Sequence, residues 1–114
     1  MNNVELMWDF PVREGVSFPN ANRVHPLMQV RVEKLICALS QDENIRRLVL
    51  FGSALQFRCN SGSDLDLYIE KREREKKLEY LPDLDCEIDI VVNLSQDSKL
   101  YREIERTGLL LFER

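Results

Sequence analysis

The sequence has no apolar run approaching the ~20 residues that a membrane-spanning helix requires, and its acidic opening, MNNVELMWD, lacks the basic and apolar regions of a signal peptide. The three cysteines, Cys37, Cys59 and Cys86, lie far apart with no C-x-x-C pair, which leaves neither a zinc site nor a disulfide framework. An odd cysteine count suits a reducing, cytoplasmic setting. The one histidine, His25, has no second histidine for a metal pair or a triad and reads as a surface or capping residue just before Pro26. Basic surplus is also missing. A net charge of −4 argues against general duplex nucleic-acid binding, which needs cationic surface against phosphates. There is no internal repeat and no low-complexity tract, and 114 residues suffice for one domain with a single modest core.

Residues 1–26 show no sustained period and carry three of the four prolines, so they read as an irregular N-terminal arm preceding a domain over 27–114. The arm's Trp8, Phe10 and Phe18 are expected to pack back onto the domain or to meet a partner. Pro26 suits the first turn of a helix, and Met28, Val32, Leu35, Ile36 and Leu39 then form one apolar stripe. RRLVLF (46–51), ending at Gly52, reads as a buried strand. SDLDLYIE (63–70) alternates, with Leu65, Leu67 and Ile69 on one face and Asp64, Asp66 and Tyr68 on the other. DCEIDIVVN (85–93) alternates likewise. A helix through SKLYREIERTG, with Leu100 and Ile104 on one face and Gly108 as its stop, and a short strand LLLF (109–112) complete the chain. The order points to an α/β (α+β) domain with a mixed sheet of about four strands flanked by helices. The charge run KREREKK (71–77) reads as a solvated turn or helix, and Cys59 as loop filler.

Two aspartates one residue apart inside a strand need an explanation, because Asp is a poor strand former and like charges on one face repel. Asp64 and Asp66 project together, and a cation would relieve them. Magnesium is the natural candidate, a hard ion held by one or two carboxylates plus substrate phosphates. Asp89, flanked by Ile88 and Ile90, offers a third carboxylate from what reads as a buried strand, enough for a two-metal clamp. Asp85 and Glu87 share its face if the strand is regular and remain alternatives. Gly52 lets backbone N–H groups approach a phosphate, and Ser53 adds a hydroxyl that could cap a short helix beginning at Ala54. Phosphate cradle, carboxylate pair and third carboxylate together point to phosphoryl or nucleotidyl chemistry.

The run Leu50-Phe51-Gly52-Ser53, ten intervening residues, Asp64-Leu65-Asp66-Leu67, and then Asp89 in an apolar strand resembles the DNA polymerase β-type nucleotidyltransferase superfamily, and in size its minimal nucleotidyltransferases. The resemblance spans about residues 28–114, including the closing REIERTGLLLFER. It implies nucleotide binding by Gly52 and Ser53, metal binding by Asp64, Asp66 and Asp89 with two magnesium ions, and activation of the attacking hydroxyl by Asp89. It further implies ATP as donor and an all-helical HEPN-type protein, a toxin, as adenylylated partner. Minimal members place arginines just after the Gly-Ser pair. Here Ala54, Leu55, Gln56 and Phe57 follow, leaving Arg58, and Lys71 or Arg72, as candidates to neutralise phosphate. Two other readings stay open: a binding module that keeps the fold without the activity, and a transferase acting on small molecules.

Overall fold

The computed structural model describes residues 8–114, so the first part of the expected arm, 1–7, lies outside the described residues. Helix α1 (Pro26–Leu39) begins with proline at its first turn, and the His25 ring accepts the Leu27 N–H at 3.1 Å as its cap. Strand β1 (Ile45–Phe51) leads into a 3-10 turn over Gly52–Leu55. Strand β2 (Leu65–Lys71), strand β3 (Ile88–Val92), helix α2 (Lys99–Thr107) and strand β4 (Leu109–Glu113) follow. The sheet order is β3-β2-β1-β4, with β2 and β3 parallel and the other pairs antiparallel. The mixed four-stranded sheet with two helices is the α+β architecture that the alternating patterns imply. No helix among the described residues is long and apolar enough to cross a membrane.

The unbroken apolar run of β1 has a simple cause: both faces of the strand are covered. Leu48 and Leu50 join Met28, Val32, Leu35 and Leu39 of α1, together with Leu65, Leu67 and Ile69 of β2, in the main core. Val49 points the other way, into a smaller cluster with Tyr68 and Ile104 of α2. On α2 the residues turned toward the sheet are Tyr101 and Ile104, whereas Leu100, expected inward, is exposed. Tyr101 meets Tyr68 edge-on at 5.9 Å. Arg47 of β1 binds both Glu105 oxygens. These two contacts rotate the short helix so that Leu100 turns away from the sheet. Gly108 ends α2 as expected, but its backbone is not left-handed (φ −79). A Cβ there would come within 2.6 Å of the Ile104 carbonyl and 2.8 Å of Val49 Cγ1, so glycine is required by close packing of helix against strand.

The arm is tied down. Phe18, Ala21 and Val24 belong to the main core, and Phe10 is buried. Gln29 of α1, fully buried, donates to the carbonyls of Pro11 (2.9 Å) and Val24 (3.0 Å) and accepts the Arg13 N–H (2.8 Å). At its end, the His25 N–H donates to the Ala54 carbonyl at 2.8 Å, which couples the arm to the Gly-Ser turn.

Candidate active site

The turn after β1 and the starts of β2 and β3 meet at one end of the sheet. Phe51 pairs with Asp66 across β1 and β2, and Asp66 pairs with Asp89 across β2 and β3. Gly52 follows with φ +83, a backbone conformation that side-chain-bearing residues avoid. A Cβ at Gly52 would overlap Asp66 Oδ2 and lie 3.1 Å from Asp66 Cγ. The glycine is therefore what allows the carboxylate to abut the turn.

Asp66 is half-buried and holds its proton more tightly than an ordinary aspartate. Burial is the leading cause, followed by the negative charges of Asp89 and Asp64 and a hydrogen bond between the Asp66 and Asp89 carboxyls. The three acidic residues singled out from the sequence thus act on one another in space. Asp64 stands just outside β2, whose ladder begins where the Leu65 N–H donates to the Glu87 carbonyl at 2.9 Å.

Several expectations change. Asp89 is exposed, on an edge strand and not a buried one: Ile88 and Ile90 cover only the α1 side of the sheet, and among the described residues no strand lies beyond β3. Strand β3 begins at Ile88, so Asp85 and Glu87 lie ahead of it, although the alternation of exposure runs back through them. Asp85 instead binds Arg31 of α1 in a forked pair, at 2.7 and 3.1 Å, which holds its carboxyl below the usual range. Glu87 is exposed, and it is Asp89 that stands opposite Asp66. Ser53 lies inside the 3-10 turn and does not cap it; Phe51 occupies the capping position. Lys71 and Arg72 lie at the far end of β2, where Lys71 pairs with Ile45 at the start of β1, so the KREREKK run sits at the opposite end of the sheet from Gly52. Arg58 remains near the turn, exposed, lining the same groove as Gly52. Cys59 is buried and anchors the loop between turn and carboxylates, as filler should.

The donor set suits a hard divalent cation, since all of its ligands would be carboxylate oxygens. Among the described residues no three His, Cys, Asp or Glu side chains converge into a closed cage. Asp66 and Asp89 are instead an open pair with Asp64 alongside. Such a pair fits magnesium, which takes one or two carboxylates and fills its remaining positions with water and phosphate oxygens.

The groove beside Gly52, about 560 Å³ in volume, contains features with no periodic or motif signal in the sequence: Trp8 and Phe57 pair there at 5.4 Å between ring centres, and Arg106 of α2 lines the same groove. Only the fold brings residues so far apart in the chain together.

No curated protein matches the chain's sequence. The family model described as polymerase beta, nucleotidyltransferase matches residues 33–114, which takes in the second half of α1, the Gly-Ser turn and all three aspartates. With most of its length in that match and Asp66 set against the glycine turn, the chain belongs to the polymerase β nucleotidyltransferase family.

Proposed function

We propose that the protein is a magnesium-dependent nucleotidyltransferase that moves AMP from ATP to a hydroxyl of a folded protein acceptor. The observation that carries this reading is the placement of Asp66 between Gly52 and Asp89, with its proton affinity raised. A structure that holds like charges together at a glycine turn maintains an unfavourable arrangement that a cation would relieve.

Bound magnesium would polarise the phosphates and offset charge that develops during transfer. The chain's own residues do the rest. Gly52 and Ser53 hold the β- and γ-phosphates, with Arg58 as the nearby cation. Asp66 and Asp89, with Asp64 alongside, would hold the metal. Asp89, open to solvent on its edge strand, orients the acceptor hydroxyl and takes its proton. The hydroxyl oxygen forms a bond to the α-phosphorus, the bond from that phosphorus to the bridging oxygen breaks, and pyrophosphate leaves. Alignment and electrostatics supply the rate.

The exposed position of Asp89 also favours a large acceptor that brings its own positioning surface. The resemblance to minimal nucleotidyltransferases makes a HEPN-type helical toxin the partner, with this chain as antitoxin. Phe10 and Phe18 are buried and therefore closed to such a partner. A catalytically silent binding module is the competing reading; buried Ala54 and Leu55 after Ser53 add no charge for a triphosphate.

The test is incubation with labelled ATP and magnesium, with and without the co-expressed product of the neighbouring gene, followed by mass spectrometry. The expected result is a shift of one AMP on the partner that disappears with Asp64→Asn. Modification of a small molecule alone would overturn the protein acceptor. No transfer to anything would favour the binding module.

A further inference from the structure

The groove beside Gly52 is lined by an unusual set for a surface loop. Phe57 is 67% exposed and Trp8 45% exposed, and their rings are tilted 35° to each other, so neither is buried by the other. Leaving two large aromatic rings in water forgoes the stabilisation that burial would give. Arg58 stands next to Phe57 in the chain, and Arg106 reaches the groove from α2, where both of its bonds to Glu103 are 2.7 Å. Gly52 lines the groove on one side and abuts Asp66 on the other. Gly52 is thus shared between the groove and the turn that Asp66 abuts.

We infer that this groove is the nucleobase subsite, with Trp8 and Phe57 as the stacking platform for the base of a nucleoside triphosphate whose phosphates lie at Gly52 and Ser53. The inference rests on the nucleotide reading of the site and adds where the base goes. Aromatic faces stack on any base, and purines offer the larger face, so the platform favours purine nucleotides. At about 560 Å³ the groove is of the size that holds a small organic ligand. Arg58 suits the ribose–phosphate end, Arg106 is paired with Glu103, which lines the groove as well, and Leu55 adds an apolar side chain. A protein partner docking on the same rings is the alternative occupant. Sharing Gly52 with the turn beside Asp66 favours the nucleotide, whose phosphates would lie at that turn.

Trp8 is the only tryptophan in the chain, which gives a direct probe. Titrating ATP with magnesium into the full chain should quench the tryptophan emission, with the same midpoint as binding heat in calorimetry. Inorganic tripolyphosphate with magnesium should bind calorimetrically but leave the emission unchanged. Phe57→Leu and Trp8→Ala, both at exposed positions, should weaken ATP about tenfold or more, the scale of lost base stacking, and leave tripolyphosphate affinity as it was. Phe57→Tyr should retain ATP binding. ATP binding with no quench, and with unchanged affinity in both variants, overturns the subsite and leaves the nucleotide reading standing. The subsite is equally overturned if the variants lose only transfer to a protein acceptor. Absence of any ATP binding overturns both.

Discussion

Replacing Gly52 by alanine should cost stability for two separable reasons. The first is the backbone: at φ +83 an alanine carries a penalty of about 1–2 kcal/mol. The second is the new Cβ, which would overlap Asp66 Oδ2 and crowd Asp66 Cγ at 3.1 Å and Cβ at 3.4 Å. Forcing an extra carbon into such a contact costs about 1–3 kcal/mol. The sum, about 2–5 kcal/mol, is a large fraction of a small domain's stability. The two parts come apart in an Asp66→Ala background, where the overlapping atoms are gone and only the backbone part remains. Urea unfolding of the four proteins in this cycle should give a coupling of about 1–3 kcal/mol between the positions, with unchanged m-values. An equal cost of Gly52→Ala in both backgrounds, or a cost below about 0.5 kcal/mol, would refute the claim that the glycine makes room for the carboxylate.

The remaining predictions bear on the carboxylates and the arm. Because the folded state raises the proton affinity of Asp66, its ionised form destabilises the fold above the folded pKa, and this penalty is relieved as pH falls toward the unfolded value of about 3.9. Asp66→Asn should therefore be more stable than wild type at neutral pH in urea melts, with the gap closing on acidification; a gap independent of pH would contradict the assigned causes. Asp89→Asn should lower transfer by about 10²-fold or more while nucleotide binding persists, and Glu87→Gln should be mild. A large loss at Glu87 would reassign the third carboxylate. Gln29→Ala should leave the Arg13 N–H and the Pro11 carbonyl without their partner and cost about 1–3 kcal/mol. Hydrogen exchange should show faster opening of the Arg13 amide, and unchanged protection there would show that the arm is held by its apolar contacts alone.

How far the sequence discloses this molecule depends on whether an interaction is periodic. Alternation over Leu65, Asp66, Leu67, Tyr68 and Ile69 separates the two faces of β2 correctly, because side-chain direction in a strand is fixed locally. The run Leu48-Val49-Leu50 marks a strand covered on both sides for the same reason. Lateral position is different. Apolar neighbours tell that one face of β3 is covered, but whether another strand lies beside it is decided by backbone pairing, and Asp89 proves to sit at an edge. Asp85, ahead of β3, is held by Arg31, 54 residues away, and the irregular arm is fixed by Gln29, a polar residue with no place in the apolar stripe. The Trp8 and Phe57 pair is likewise non-local. The motif residues around Gly52, Asp64 and Asp66 are legible because their chemistry demands short spacing; the groove beside them carries no such constraint.

Everything proposed for this chain turns on Asp66, set against Gly52 and Asp89, belonging to a metal–nucleotide site. Calorimetric titration of ATP into the wild-type chain and Asp66→Asn, each with magnesium and with chelator, puts that assignment to trial with no intervening assumption about the acceptor. The wild type should bind only when magnesium is present, and Asp66→Asn should lose that binding although it remains folded. Wild-type affinity in the variant, or ATP binding indifferent to magnesium, would contradict the assignment.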